Sequence, residues 1–266
     1  YATVHGHVFL DRRLYLPQNW CADVERRTRA KVPEDITFQT KDQLARAMLE
    51  YAWEKGVPMR WVTGDEVYGA AATLRDSIAA HRRLYVLAVR SNSVVWLERP
   101  RLVEPQQKRY GPLATALVIA ADAQPLTAVA AIVASWPERI WQRFSVAEGE
   151  KGPRLYDWAY ERVVEPRDSM PGPDGWLVAR RSISDPADLA YYLSNAPVET
   201  PLDTVAQVAA TRYTVEQCIE ESKGETGLDA YQARYWHSWH RHITLSMMAH
   251  AWLASNRDKE AQKGGA

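Results

Sequence analysis

The chain has 266 residues, 46% of them hydrophobic and 25% charged, which is typical of a folded protein and excludes low-complexity and collagen-like classes. Lysine plus arginine number 33, as do aspartate plus glutamate, so the net charge indicates no general attraction to a polyanion, and affinity for nucleic acid must come from local patches. Cys21 and Cys218 lack metal-type spacing and exclude a disulfide framework, and no run is apolar enough to span a membrane, so we expect a cytoplasmic protein.

The first third of the chain predicts strands that alternate with helices, as in an α/β sheet. Residues 1–16 alternate like one or two strands, and residues 18–38 indicate a surface loop or short helix. We interpret the four cations of this second stretch as a solvated face rather than a phosphate-binding patch. Thr40 and Gln43 form a capping-box pattern, which predicts a helix that ends near Gly56. A strand, a helix and a strand follow, at residues 59–64, 70–81 and 83–91.

The middle of the chain differs in composition from the first third. Residues 92–175 are rich in proline and glycine and contain strand-like pieces, which predicts a mainly β insertion with one helix, or a poorly specified apolar segment, near residues 128–134. After a further strand, Thr200 and Pro201 are a suitable N-cap and first-turn pair for a helix that runs to Lys223.

The end of the chain predicts an amphipathic helix over residues 238–254. Ile243, Met247 and either His250 or Ala251 lie on one side of it. The polar residues that follow are expected to be disordered.

Asp65 follows an apolar strand, in the sequence WVTGDEVYG. Catalytic groups collect at the carboxyl ends of strands in α/β sheets because side chains there face an open crevice. An aspartate that only caps the next helix has the same pattern, so Asp65 by itself is compatible with both roles.

A second cluster lies in RYTVEQCIEESKG, where Glu216 follows Arg212 by four residues and precedes Lys223 by seven. On a helix these offsets place all three side chains on one face, with a carboxylate between two cations. Taken alone, such a stripe more often indicates ordinary exposed ion pairs than a functional site.

Spacing and surroundings together resemble a known family. The pattern Arg, three residues, Glu, six residues, Lys, with an aromatic directly after the Arg, is similar to the signature helix of DDE transposases from bacterial insertion sequences. Blocks similar to that family occur in its order along nearly the whole chain: DRRLYLPQNW, EKGPRLYDWA and GLDAYQARYWHSWHRHITLSMMAHAWLA.

The resemblance implies a fold with three parts. Residues 1–91 and 176–254 would form a ribonuclease-H-like core, a mixed α/β sheet flanked by helices. Residues 92–175 would be an inserted β-rich subdomain, and residues 255–266 a disordered tail.

The resemblance also implies roles for individual residues. Asp65 matches the second catalytic aspartate and Glu216 the catalytic glutamate, both of them metal ligands in the family. Arg212 and Lys223 match basic residues associated with DNA phosphates or the active site. Ala209 stands where the family often has a tyrosine, and whether Tyr213 replaces that aromatic is open.

Two other carboxylates compete for these roles. Glu220 shares the helical face of Glu216 but lacks the family's spacing. Asp11 is the obvious substitute for the family's first catalytic aspartate, yet in the family an aspartate in this block comes after the catalytic strand, so we interpret it as a strand-end or turn residue. We expect the chain to be truncated at its N-terminus, so that the first aspartate lies ahead of it. The chain alone would then be inactive, and measurable DNA strand cleavage by this chain would refute the expectation.

The chemistry of the family needs two divalent ions about 3.5–4 Å apart, and oxygen ligands suit Mg²⁺ or Mn²⁺. The resemblance therefore implies hydrolysis of a phosphodiester at transposon ends and transfer of the 3′-hydroxyl into target DNA, by a homodimer and without a membrane partner. The alternative is a non-catalytic DNA-binding remnant of a transposase. A binding module unrelated to DNA is a third hypothesis, which holds only if Asp65 and Glu216 are distant in space.

Four histidines near the end of the chain invite a zinc hypothesis: His237, His240, His242 and His250. No cysteine or ordered second pair accompanies them, so we interpret them as structural parts of the closing helix.

Overall fold

The computed structural model describes residues 1–3, 5–105, 116–149 and 152–264. Its helices and strands in chain order are β1 (Ala2–Thr3), β2 (Gly6–His7), α1 (Gln18–Ala22), α2 (Val24–Ala30), α3 (Lys41–Glu54), β3 (Trp61–Gly64), α4 (Glu66–Gly69), α5 (Ala72–Ala80), β4 (Leu84–Val89), β5 (Val94–Val95), β6 (Leu102–Val103), β7 (Val118–Ile119), β8 (Thr127–Ala128), α6 (Val129–Ala134), β9 (Gln142–Gly149), β10 (Gly152–Arg167), β11 (Met170–Ser182), β12 (Leu189–Ser194), α7 (Leu202–Thr211), α8 (Tyr213–Thr226) and α9 (Trp236–Gly264). The chain divides into two compact units, one of residues 1–59 and 211–266 and one of residues 60–210.

The unit of residues 60–210 is built on a six-stranded mixed sheet in the order β3-β4-β12-β11-β10-β9. Strands β3 and β4 are parallel, and the other neighbouring strands are antiparallel. Helices α4 and α5 contact β4. This sheet with its flanking helices confirms the predicted α/β class and is consistent with a ribonuclease-H-like fold.

The hydrophobic core of this unit lies between helix α7 and the sheet. Leu202, Val205 and Ala206 recur at helical spacing on α7, and all three are buried in one cluster with Trp158 and Val178 of the sheet. Burial of large apolar side chains such as these stabilises a fold by about 1.5–3 kcal/mol each. The period of α7 therefore fixes which face it presents to the strands.

The unit of residues 1–59 and 211–266 contains the β1–β2 hairpin and the packed helices α8 and α9. The predicted apolar side of α9 is confirmed, since Ile243 and His250 are buried, together with Ser246 between them. On α8 the buried residues are Cys218 and Ser222, one helical turn apart. The two helices thus present small and polar side chains to a shared interior.

Helix α3 begins as predicted. Thr40 is its N-cap, and Oε1 of Gln43 accepts a hydrogen bond from the Thr40 amide at 2.9 Å, as in a capping box. The predicted end is also confirmed, since Gly56 takes a left-handed conformation with φ of 75°.

Replacing Gln43 by alanine removes the acceptor of the Thr40 amide. We expect the free energy of unfolding to fall by about 1 kcal/mol, measured by urea denaturation. Gln39→Ala is the matched control, because Gln39 is exposed and lies outside the helix, and its effect should stay within about 0.5 kcal/mol. Equal effects of the two substitutions would contradict the capping role.

One predicted helix is broken in two, and the predicted ends of two helices are wrong. The helix expected from residue 200 to Lys223 is two helices that break at Arg212, among β-branched and aromatic residues of low helix propensity. Helix α8 ends at Gly227, whose φ is 63°, and not at Gly224. Helix α9 continues to Gly264 through polar residues without proline, so it overlaps most of the tail predicted at residues 255–266.

The strand expected in residues 1–16 is limited to the two short strands β1 and β2, and residues 8–16 run without strand pairing. Among the described residues of the range 92–175, strands predominate, and α6 lies at the predicted helix. Their strands β9 and β10 are hydrogen-bonded into the six-stranded sheet, and the insertion as a separate subdomain stays a prediction. Within the described ranges, no helix combines the length and apolar character needed to cross a membrane.

Candidate active site

Asp65 lies at the carboxyl end of strand β3, where the chain turns into helix α4. Its side chain is exposed, and Oδ1 accepts a hydrogen bond from the Val67 amide at 2.9 Å. Burial, and less strongly the charge of Asp65, raises the pKa of the neighbouring Tyr68 hydroxyl. Asp65 is therefore the N-cap of α4, and its Oδ2 makes no hydrogen bond within the part of the chain that the structure describes.

Helix α4 is held close to strand β4 by a glycine. A Cβ atom added to Gly69 would collide with the carbonyl oxygen of Ala88 and crowd the Val89 side chain. Gly64, directly before Asp65, is also tightly packed, with Leu87 and Tyr68 at 3.1 and 3.3 Å from such an atom. The turn that carries Asp65 thus depends on small residues against β4.

A buried charge network fixes the other end of this turn. Arg75 of α5 donates to the carbonyl oxygen of Gly69 and, through Nε, to Oε2 of Glu165 at 2.8 Å. Glu165 of β10 is fully buried, and its Oε1 accepts from the Tyr85 hydroxyl at 2.7 Å. Burial, and then the charge of Glu165, raises the pKa of Tyr85 well above its ordinary value. The network connects α4, α5 and two strands of the sheet.

Arg167 supplies the second cation of this network. It donates to Oε2 of Glu165 at 3.1 Å and to Asp76 at 2.7 Å. Burial disfavours the positive charge of Arg167, but the hydrogen bond to Asp76 and the charge of Glu165 outweigh it and raise its pKa. Glu165 therefore has two cationic partners: Arg167, two residues further along the same strand, and Arg75, 90 residues away in sequence.

Glu216 lies in the first turn of α8, in the unit of residues 1–59 and 211–266, whereas Asp65 belongs to the unit of residues 60–210. Oε1 of Glu216 is 3.2 Å from the guanidinium of Arg212, and both side chains are about half exposed (53% and 41%). The predicted ion pair between these residues is thus present. Lys223 and Glu220 are exposed on the same helix.

Asp11 is engaged by its neighbours in sequence. Its Oδ1 accepts from the Arg12 amide at 2.7 Å, and the guanidinium groups of Arg12 and Arg13 lie 3.7 and 3.5 Å from its carboxylate. Asp11 lies in neither a helix nor a strand, and its interpretation as a strand-end or turn residue stays a prediction.

The four histidines near the chain end do not form one cluster. The Nε2 atom of His242 pairs with the Gly227 carbonyl at 2.9 Å, and the His237 ring stacks on Tyr235. Burial, followed by the charges of Arg12 and Arg13, lowers the pKa of His240.

His250 belongs to a different cluster. One potential ligand atom from each of His7, Cys218 and His250 lies within 4.8 Å of the others. Sequence reasoning missed this cluster because its members come from three distant segments, and spacing detects metal ligands only when they are close in sequence.

The sequence profile of a family described as DDE superfamily endonuclease matches residues 1–153, more than half of the chain. The chain belongs to this family. An endonuclease of the DDE superfamily cleaves DNA and depends in general on divalent metal ions. The matched range contains Asp65, whereas Arg212, Glu216 and Lys223 lie outside it. None of the curated proteins matches the chain.

The chemistry of the carboxylates fits a divalent metal ion. Asp65 and Glu216 are both exposed, and each uses one carboxylate oxygen in the contacts above, Oδ1 with Val67 and Oε1 with Arg212. The second carboxylate oxygen of each residue makes no hydrogen bond or ion pair among the described residues. Hard oxygen donors of this kind suit Mg²⁺ and Mn²⁺ rather than soft metals.

Proposed function

We propose that the chain is the catalytic domain of a DNA transposase, in which Asp65 and Glu216 are two of the carboxylates that hold the catalytic metal ions. The proposed reaction hydrolyses a phosphodiester at a transposon end and transfers the resulting 3′-hydroxyl into target DNA. Membership of the endonuclease family supports one part of this proposal, the cleavage of DNA by a metal-dependent enzyme.

The position of Asp65 carries the proposal. Its carboxylate is exposed at the carboxyl end of β3, one of the two parallel strands in the sheet, and within the family match. Ligands bind at this end of parallel strands because the backbone opens there into a crevice. The hydrogen bond from Val67 orients the side chain and still leaves one oxygen as a ligand.

Glu216 and its basic neighbours form the second part of the proposal. The guanidinium of Arg212, 3.2 Å from Oε1, orients the Glu216 carboxylate. Lys223 is exposed about two turns after Glu216 on the same helix. Its ammonium group would attract DNA phosphates there. We assign to Arg212 and Lys223 the binding of DNA near the reacting phosphodiester.

The proposed cofactor is Mg²⁺, with Mn²⁺ as a substitute. When bound, such ions activate the attacking water or 3′-hydroxyl and stabilise the leaving oxygen. The contribution of the chain is to supply two carboxylates, Asp65 at the turn into α4 and Glu216 in the first turn of α8. The proposal also includes a homodimer in the transposition complex and a location in the cytoplasm, where the free Cys21 and Cys218 stay reduced.

One observation favours a second candidate function. Only two of the three carboxylates of the resembled transposases have a match in this sequence. DNA binding without cleavage is therefore the alternative, and a metal-binding experiment separates the two.

A crystal structure of the chain with Mn²⁺ tests the proposal. Anomalous density is expected at the second oxygens of Asp65 and Glu216, and either Asp65→Asn or Glu216→Gln should weaken Mn²⁺ binding at least about tenfold, because each removes a charged ligand. Glu66→Gln and Glu220→Gln are matched controls, since these carboxylates are exposed neighbours on the same elements. Density at neither carboxylate, or equal weakening by the controls, would contradict the proposed site and favour the non-catalytic alternative.

A further inference from the structure

We propose that His7, Cys218 and His250 form a zinc-binding site in the unit of residues 1–59 and 211–266. The site uses nitrogen and sulfur donors and none of the carboxylates assigned to the catalytic ions. It therefore goes beyond the proposed function and stands or falls independently of it.

Three elements of one unit bring the donors together. Cys218 lies on the buried face of α8, and His250 lies on the face of α9 that packs against α8. Strand β2, which carries His7, also contacts α9, and the His7 and His250 rings stack with their centroids 6.0 Å apart. The Phe9 ring covers His250 from 5.7 Å. The cluster is thus built by the packing of the hairpin on two helices.

The size of the cluster is close to that of a zinc site. One potential donor atom of each residue lies within 4.8 Å of the other two. Zinc binds nitrogen at about 2.0–2.1 Å and sulfur at about 2.3 Å, which separates the donors of a tetrahedral site by roughly 3.3–3.8 Å. Small side-chain rotations that shorten the longest separation by about 1 Å would close the site around an ion.

Glu221 lies where a carboxylate can hydrogen-bond to both histidines without itself binding the ion. Its Oε2 lies 3.2 Å from Nε2 of His7 and 3.4 Å from Nε2 of His250. Zinc-bound histidines commonly donate one ring nitrogen to a carboxylate, which orients the ring and makes the other nitrogen a better ligand. Because Nε2 of each ring is directed at Glu221, the proposal assigns Nδ1 of each ring as the nitrogen that would bind zinc.

The second ring nitrogen of His250 supports this arrangement. His250 is fully buried, yet its Nδ1 has no hydrogen-bond partner within the described part of the chain. A buried polar atom without a partner costs about 1–3 kcal/mol, so such atoms are rare unless a ligand satisfies them. The buried Cys218 thiol likewise makes no hydrogen bond among the described residues. A soft cation would satisfy both groups.

The charges and the donor atoms of the cluster favour zinc over Mg²⁺ as the bound ion. A thiolate on Cys218 would offset part of the charge of a divalent ion, and the carboxylate of Glu221, which also pairs with Arg257 at 3.3 Å, would offset more of it. Sulfur and imidazole donors favour zinc over Mg²⁺, which needs oxygen ligands. His7 also lines a cleft of about 630 Å³ with Thr214 and Gln217, so we infer that the fourth coordination position faces this cleft.

The proposed ion would link the β1–β2 hairpin to the helix that carries Glu216. Cys218 follows Glu216 by two residues on α8, so fixing Cys218 also fixes the first turns of that helix. The inferred role is structural, since the donors lie on the buried face and Glu216 on the exposed face of α8.

Cobalt substitution tests the site directly. The chain, freed of any affinity tag and of metal by a chelator, is expected to bind about one Zn²⁺ or Co²⁺ ion, and the Co²⁺ form should show tetrahedral d–d absorption bands and a thiolate-to-cobalt charge-transfer band. Cys218→Ser should abolish the charge-transfer band, and His7→Gln should weaken zinc binding by about 100-fold or more, measured by competition with a chromophoric chelator. Glu221→Gln, which alters only an outer residue, should cost about 10–100-fold.

Cys21→Ser and His237→Gln are the matched controls, because they remove the other cysteine and an exposed histidine of α9. Both controls should keep the charge-transfer band and full zinc binding. His7 is partly exposed, so its variant should fold even if Cys218→Ser does not, and circular dichroism checks this. Absence of stoichiometric binding, or binding that survives in the folded His7→Gln variant, would overturn the site and leave a hydrogen-bonded cluster without metal.

Discussion

Replacing Glu165 by alanine is expected to lower the free energy of unfolding by about 3–5 kcal/mol, because it leaves two arginines without their buried counter-charge. Arg75 and Glu165 are 7% and 1% exposed, and their ion pair is 2.8 Å long. The substitution also removes the acceptor of the buried Tyr85 hydroxyl. Chemical denaturation with guanidinium, followed by tryptophan fluorescence, measures the loss.

Glu161→Ala provides the matched control in the same strand. Glu161 is exposed and accepts one hydrogen bond, from the Trp136 indole at 2.6 Å, so its loss should cost about 1 kcal/mol or less. Glu165→Gln keeps the size of the side chain but not its charge, and it should show most of the alanine effect. If Glu165→Ala were no more destabilising than Glu161→Ala, the network would not anchor the turn that carries Asp65.

Local signals in the sequence were sufficient for most of the individual elements. The capping box at Thr40 and Gln43 predicts the start of α3, because the two side chains satisfy helix amides within one turn. The break at Arg212 was missed, because α7 and α8 are separated by a single residue and neither Pro nor Gly marks it. Propensities of β-branched residues are too weak to place such a break.

Pairing between distant segments explains why the architecture was less predictable. Strands β9 and β10 are strand-like in sequence, yet nothing local specifies that they join the sheet containing β3 and β4. Register and strand order depend on contacts among segments far apart in sequence, and a single sequence does not display them.

The same limit applies to the candidate site residues. Asp65 became a candidate because an aspartate after an apolar strand is a local pattern, and the Arg212 and Glu216 pair because four residues separate them in the sequence. Glu165 looked like an ordinary strand residue, although a carboxylate after two valines in a buried strand signals a need for partners. Its partner Arg75 lies 90 residues away, beyond any periodic pattern.

The tight packing of α4 on β4 predicts a large effect of a single methyl group. Gly69→Ala is expected to destabilise the fold by about 3 kcal/mol, near the upper end for overpacking, because the new Cβ would meet the Ala88 backbone rather than a movable side chain. The displaced helix would also lose the Arg75 hydrogen bond to the Gly69 carbonyl. Its N-cap, Asp65, would shift with it, so Mn²⁺ binding at the proposed site should weaken in the same variant.

Gly224→Ala is the control, and it is expected to change the stability of the fold in the opposite direction. Gly224 lies inside α8 with open space around it, so alanine should stabilise the chain by up to about 1 kcal/mol through its higher helix propensity. Thermal denaturation of the two variants compares them under identical conditions. If Gly69→Ala were neutral, α4 would have room to move away from β4, and the position of Asp65 would not be set by that contact. If it destabilised the fold but left Mn²⁺ binding unchanged, the packing argument would stand and the assignment of Asp65 as a ligand would not.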